Sequence, residues 1–316
     1  MHCDTITKLK VKGGNLASNG LHIDIQKLKK GECFLQNFAI FTDIGVADSK
    51  FADVCIDFYY SQLEQNSDCI KPVYKFEDIE KNSTNGYINA MLTLEDGSVV
   101  NNDINRLEWY YDLGVRMIGL TWNYPNGIGY PNIDSSIKHE SDPTHLFNTK
   151  DGLTDFGKDY VRRCNELGII VDVSHLSDKG FYDVCELSNS PFVASHSNAR
   201  SVCKAGRNLT DDMIVKLANK GGVTGLNYCA AFIDDENTSH TYIEDMVKHI
   251  RHIVNIGGID CIGLGSDFDG IHNTLEIENA SGMQLLYEAL KKHYAEQELE
   301  KIFYKNVLRV YKDCLK

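Results

Sequence analysis

Eight short apolar runs separated by longer helical or loop-like stretches recur along the 316 residues, and this alternation constrains the fold more than any other feature. The runs cover residues 2–5, 37–42, 90–95, 117–122, 169–175, 192–196, 222–227 and 262–267. Near-continuous apolarity within a strand means that both faces are buried, as in parallel sheets covered by helices. Repeated eight times, the pattern predicts a (β/α)8 TIM-type barrel. An open doubly wound sheet carries the same alternation and remains the alternative. A barrel takes about 250 residues as one domain, so residues 1–316 are expected to form a single barrel domain with the excess in loops.

Three intervening segments read as amphipathic helices. Residues 151–167 place Phe156, Tyr160, Cys164 and Leu167 on one face, and Gly168 ends the run. Residues 210–218 open on a Thr cap followed by Asp211 and Asp212, favourable at the positive end of a helix dipole. Residues 242–256 align Ile243, Met246, Val247, Ile250 and Ile253. Residues 123–150, rich in Asn, Gly, Pro and Ser, are expected to be a long loop after strand four, at the end where barrels build their sites.

Composition narrows the function classes. The net charge is −13 and no basic patch stands out beyond the short Lys27-Leu28-Lys29-Lys30, so nucleic acid is not an expected partner. The ten cysteines form no C-x-x-C pair, and Cys164 and Cys229 lie within apolar or helical runs, as buried free thiols do. With no leader segment and no apolar run approaching about 18 residues, a soluble cytoplasmic protein with reduced thiols and no membrane partner is expected.

The residues that end the strands carry the chemistry. His2 and Asp4 flank Cys3 in strand one, Glu95 closes strand three, His175 strand five, His196 strand six and Asp267 strand eight. In a barrel these ends converge on one rim. Imidazoles and carboxylates are the N/O ligands that hold zinc or a similar divalent ion, and one carboxylate between two ligand pairs suits two ions about 3.5–4 Å apart. Singly, each residue has a structural reading: His175 a buried imidazole, Glu95 the start of a turn, Asp267 a cap or loop anchor. Five strands placing a potential ligand or acid at the same end make the combination far stronger than its parts.

The motifs His2-Cys3-Asp4-Thr5, Leu94-Glu95-Asp96-Gly97, Gly152-Leu153-Thr154-Asp155-Phe156-Gly157, Val171-Asp172-Val173-Ser174-His175, Ser195-His196-Ser197-Asn198-Ala199-Arg200, Gly206-Arg207-Asn208 and Gly263-Leu264-Gly265-Ser266-Asp267-Phe268-Asp269-Gly270 span nearly the whole chain. Together they resemble the zinc-dependent membrane (renal) dipeptidase family, in a bacterial-type form. The resemblance implies that His2 and Asp4 bind one zinc, that His175 and His196 bind the other, and that Glu95 bridges them. It implies a dipeptidase in which a metal-bridging hydroxide attacks the peptide bond, Asp267 transfers the proton and Arg207 receives the substrate carboxylate. Tolerance of a D-residue at the C-terminal position and a homodimer are further expectations from the family. The alternatives are another binuclear amidohydrolase, acting on a cyclic amide, lactone or acyl-amino acid, or a non-catalytic peptide- or metal-binding relative.

Two features depart from the family pattern. Trp122, in Leu120-Thr121-Trp122-Asn123, stands where many members carry a histidine that holds the tetrahedral intermediate; it is either a substrate-binding wall of a changed pocket or rim packing. Strand one has almost no residues before His2, whereas a strand usually has about five. Either the start lies upstream or the strand is a stub, and His2 and Asp4 are then expected to be loosely held. Asp172 is either an orienter of a ligand imidazole or structural. His249 and His252 are expected at a solvated or core-edge helix face, and His139 and His145 in the exposed long loop. Gly263-x-Gly265 is too short a match for a dinucleotide site.

Overall fold

The protein is described by a computed structural model over residues 1–42, 49–136 and 143–316. Each predicted run yields a strand: β1 (His2–Cys3), β2 (Leu35–Phe41), β3 (Ile88–Glu95), β4 (Val115–Gly119), β5 (Ile170–Asp172), β6 (Val193–Ala194), β7 (Val223–Asn227) and β8 (Ile262–Phe268). Hydrogen-bonded neighbours run β1-β8-β7-β6-β5-β4-β3-β2, all parallel. The barrel is closed between β1 and β2 by side chains: the Cys3 thiol donates to Asn37 O at 3.3 Å, and Thr7 Oγ1 accepts from Phe41 N–H at 3.1 Å. Helices between successive strands cover the outside, so the open doubly wound alternative is excluded. A short strand, Ile70–Pro72, pairs with β3, and His240–Thr241 pairs with Thr274–Leu275 in a two-stranded extra sheet.

The helix predicted over residues 151–167 begins at Asp155, because Thr154 takes the cap and accepts from Gly157 N–H; Gly168 ends it in the left-handed conformation. The helix Asp211–Asn219 is capped by Thr210 as expected. At the N-terminal ends of the strands the helix Asn306–Cys314 plugs the barrel, setting Val310 and Tyr311 against Met117, Ile170, Val193 and Val223.

β1 is a stub of two residues, yet it is not loose. The Met1 ammonium donates to Leu264 O at 2.6 Å, Ser266 Oγ donates to His2 O at 2.9 Å, and Asp4 N–H donates to Phe268 O at 2.9 Å. His2 and Asp4 are buried, so the expectation that they are loosely held is corrected: β8, longer than predicted by one residue, supplies the anchoring. All ten cysteines are free thiols, and among the described residues no helix is long and apolar enough to cross a membrane.

Candidate metal centre

The C-terminal ends of five strands bring His2, Asp4, Glu95, His175, His196 and Asp267 together. Three overlapping sets have ligand atoms within 4.8 Å of one another: His2, Asp4 and Glu95; Glu95, His175 and His196; His2, His196 and Asp267. Glu95 lies between the two pairs. Its Oε1 is 2.9 Å from His175 Nε2 and 3.7 Å from His196 Nε2, while Oε2 is 3.2 Å from His2 Nε2. Asp4 Oδ1 is 3.4 Å from His2 Nε2.

The tautomers follow from the partners. Asn123 Oδ1 accepts from His175 Nδ1 at 2.9 Å, and Arg207 Nη2 donates to His175 Nε2 at 3.0 Å, so Nε2 carries a lone pair. His175 Nε2 and His196 Nε2 are 3.1 Å apart. Lone pairs of two imidazoles and a carboxylate converging on one point repel unless a cation sits among them. His2 Nε2 and Asp4 Oδ1, both buried, make no hydrogen bond among the described residues, and buried polar atoms are rarely left so.

The electrostatics agree with a site built for cations. Burial holds His175 and His196 well below the usual imidazole range, helped by the positive charges of Arg207 and His2, so both are neutral and able to offer a lone pair to an ion. Burial and the neighbouring Asp4 charge push Glu95 up to about 8. Burial pushes Asp267 up to about 6, with the Asp4 charge adding to it. For His2, burial is outweighed by Glu95 and Asp4, which hold it well above its ordinary value. Carboxylates crowded away from water are relieved by a divalent ion, and the imidazole–carboxylate donor set suits zinc. The residues therefore fit the metal that the sequence calls for.

Asp267 is held at the edge of this cluster. Asn227 Nδ2 donates to its Oδ2 at 2.9 Å and to His196 O at 3.1 Å. Ser266, Asp267 and Asp269 have φ of 60°, 64° and 69°, a left-handed run that costs energy in non-glycine residues. Asp269 clamps it, accepting from Thr5 Oγ1 at 2.5 Å and from His22 N–H at 2.7 Å. Arg207 is 3% exposed and forms no ion pair among the described residues; its Nε is unpartnered. Its loop is pinned by the bidentate Arg200–Asp178 pair at 2.7 and 2.8 Å and by Gly206 N–H to Thr144 O at 2.7 Å. Trp122 stands beside His175 with ring centroids 6.2 Å apart, and Phe41 and Tyr124 flank it at 4.9 and 5.6 Å.

Several expectations change. Strands five and six were expected to run to His175 and His196, but β5 stops at Asp172 and β6 at Ala194. The side chains of Asp172 and Ser174 replace the ladder there, accepting from the backbone N–H groups of Ser174, Ser195 and His196. Trp122 likewise lies beyond β4, which ends at Gly119. His249 is fully buried, not at a solvated or core-edge face, because its Nδ1 accepts from Ala199 N–H at 3.2 Å and its Nε2 donates to Ile233 O at 2.9 Å. His252 pairs with Asp211 at 2.7 Å, and His145 Nδ1 reaches Lys204 O; none of these joins the cluster. His139 lies outside the described residues. Gly265 and Gly225 are explained by close approach, since a Cβ at either would strike Ser195 O. Sequence reasoning missed Asn123 and Asn227; Asn227, a polar residue ending an apolar strand, carried the same signal as the ligands. A cavity of about 670 Å³ in the wall beside β1, lined by Met1, Phe34, Leu264, Phe303 and Tyr304 among others, contains none of the clustered groups. Ligand chemistry, not volume, locates the site.

Comparison with known proteins agrees with this picture. The membrane dipeptidase family (peptidase family M19) matches residues 1–315. An uncharacterized dipeptidase of Schizosaccharomyces pombe is 30% identical over 312 residues, which is 93% of this chain and 73% of that protein. The crystal structure of dipeptidase AC, a metallopeptidase of family M19, superposes with a TM-score of 0.90 at 25% identity, covering 99% of this chain and 97% of the other. A metallopeptidase from Rhodobacter sphaeroides, liganded with a phosphinate mimic of the dipeptide L-Ala-D-Ala, superposes with a TM-score of 0.88 at 26% identity over 99% of this chain and 97% of that one.

Proposed function

The chain belongs to the membrane dipeptidase family of metal-dependent peptide-bond hydrolases, and on that premise we propose a zinc enzyme that cleaves dipeptides whose C-terminal carboxylate is held by Arg207. The observation that carries this reading is the buried guanidinium of Arg207, without a carboxylate partner among the described residues and 3.0 Å from a candidate metal ligand. A buried unpaired cation calls for an anion, and a guanidinium grips a carboxylate with two parallel hydrogen bonds. Fixing that end sets the distance to the scissile bond, which favours dipeptides over longer chains.

His2 and Asp4 would hold one ion, His175 and His196 the other, with Glu95 offering one oxygen to each side. Two zinc ions bound there supply the chemistry of lowering the pKa of water and polarising the peptide carbonyl. Asp267 moves the proton. Its Oδ2 is held by Asn227, leaving Oδ1, 4.0 Å from His2 Nε2, to take a proton from the attacking water and deliver it to the leaving amine. Trp122, backed by Phe41 and Tyr124, walls the pocket beside His175 and contacts substrate; standing where many family members carry a histidine, it gives weaker help to the tetrahedral oxygen. A D-residue at the C-terminal position is tolerated, a reading supported by the L-Ala-D-Ala mimic bound to the Rhodobacter sphaeroides relative.

The test compares L,L- and L,D-dipeptides with their C-terminal amides. Hydrolysis of the free acids and loss of turnover on the amides is the expected result. Equal turnover of acid and amide would remove Arg207 from its role and favour a general amidohydrolase.

A further inference from the structure

Beneath His196 lies a buried hydroxyl–carboxylate hub that neither zinc chelation nor proton transfer uses directly. Asp172, the last residue of β5, accepts four hydrogen bonds. Its Oδ1 takes Ser174 N–H at 3.0 Å, Ser174 Oγ at 2.6 Å and Ser195 N–H at 2.9 Å. Its Oδ2 takes the Ser195 hydroxyl. Ser195 Oγ is also 2.7 Å from His196 Nδ1, and Ser174 Oγ accepts from His196 N–H at 3.1 Å. Asp172, Ser174, Ser195 and His196 are all buried.

The Ser174 and Ser195 hydroxyl oxygens lie 3.2 Å apart, and both donate to Asp172, which fixes the remaining protons. A serine hydroxyl has a single proton, and a carboxylate only accepts. With the Ser195 proton on Asp172, Ser195 Oγ must accept from His196, which places a proton on Nδ1 and leaves Nε2 bare towards Glu95 and His175. His175 is backed differently, by the neutral amide oxygen of Asn123 at 2.9 Å. The two imidazoles of one candidate ion site therefore have unequal support. One is oriented by a loop amide, the other by a negative charge relayed through a hydroxyl. The relay is held in register by the close approach of Gly225 and Gly265 to Ser195 O, where a Cβ would not fit.

We propose that Ser195 is a positioning residue that couples the Asp172 carboxylate to His196, fixing its tautomer and strengthening the ion site shared by Glu95, His175 and His196. The proposal rests on the reading of the rim cluster as a two-ion site. Partners of this kind behind a metal-binding histidine are worth about 10–100-fold in metal affinity. Ser195 is not among the groups that could hold an ion.

The experiment titrates chelator-stripped wild type and Ser195→Ala with zinc and follows the histidine side-chain nitrogens by NMR in both. Wild type should take up two ions and show His196 protonated on Nδ1 with a downfield proton. Ser195→Ala should bind one of the two ions about 10–100-fold more weakly and show a mixed tautomer at His196. Equal affinity of both proteins for both ions overturns the proposal while leaving the two-ion reading intact. Uptake of no zinc by wild type overturns that reading, and the proposal with it. If Ser195→Ala fails to fold, the wild-type spectrum decides alone: a proton on Nε2 of His196 in the stripped protein contradicts the relay.

Discussion

The two ends of the barrel treat buried polar groups in opposite ways. At the N-terminal end, Tyr311 Oη accepts from Asn37 Nδ2 at 2.7 Å and donates to its Oδ1 at 2.9 Å, and Asn306 Nδ2 donates to Ile259 O and Ile262 O at 2.7 and 2.8 Å. These groups find their partners within the protein. At the C-terminal end, His2 Nε2, Asp4 Oδ1 and Arg207 Nε are buried without a hydrogen bond among the described residues. Unsatisfied buried groups are costly, so hydrogen bonds left open among clustered rim groups mark that end as a place for ligands. On the proposed reading, Arg207 would take an anion and the rim carboxylates and imidazoles would take cations.

Substitutions at the two ends should separate activity from stability. The largest effect is expected from Asp267→Asn, which should lower kcat by about 10²–10⁴-fold while leaving zinc content, measured by atomic emission, unchanged. Loss of zinc in this variant would move Asp267 from proton transfer to metal binding.

A satisfied buried histidine gives the counterpart. Burial holds His249 down to about 4 from its ordinary 6.5. In the window from pH 6.5 to 4 the unfolded chain binds a proton that the folded one does not, so stability falls as pH is lowered through it. The loss reaches about 3 kcal/mol near pH 4. Urea unfolding of wild type and His249→Gln across this window checks it: the variant should lose the part of the slope that His249 contributes.

Arg207→Ala should raise KM for dipeptides by about 10–100-fold, the worth of hydrogen bonds to a charged group, with zinc content intact. Tyr311→Phe, at the closed end, should cost about 1–3 kcal/mol by stranding the Asn37 amide, with kcat unchanged in the folded enzyme. A kcat defect in Tyr311→Phe would break the division between the two ends.

Much of this was legible because barrel strands put their last residues on one rim. Glu95, His175, His196 and Asp267 could be found by asking which polar residue ends each apolar run, and His2 and Asp4 by their place on either side of Cys3 in the first. Asp172, Ser174 and Ser195 were harder to read. The Asp172 and Ser174 side chains take the backbone N–H groups where β5 and β6 end early, and apolarity does not reveal where a side chain takes over from a backbone partner. His249 resembles any histidine on an amphipathic helix until Ala199 N–H and Ile233 O arrive from distant loops. Asn123 lies in a loop whose path is fixed by tertiary contacts, including the bridges Gly129–Leu153 and Pro131–Leu176. The tight hold on β1 comes from β8, some 260 residues away and beyond the reach of local pattern.

The most direct test measures L-Ala-D-Ala hydrolysis as zinc is removed by chelation and then returned stepwise. The account predicts activity that vanishes on stripping and recovers in step with zinc uptake, complete at about two ions per chain. Hydrolysis that survives full removal of metal, or two bound zinc ions with no dipeptide cleavage, would contradict it.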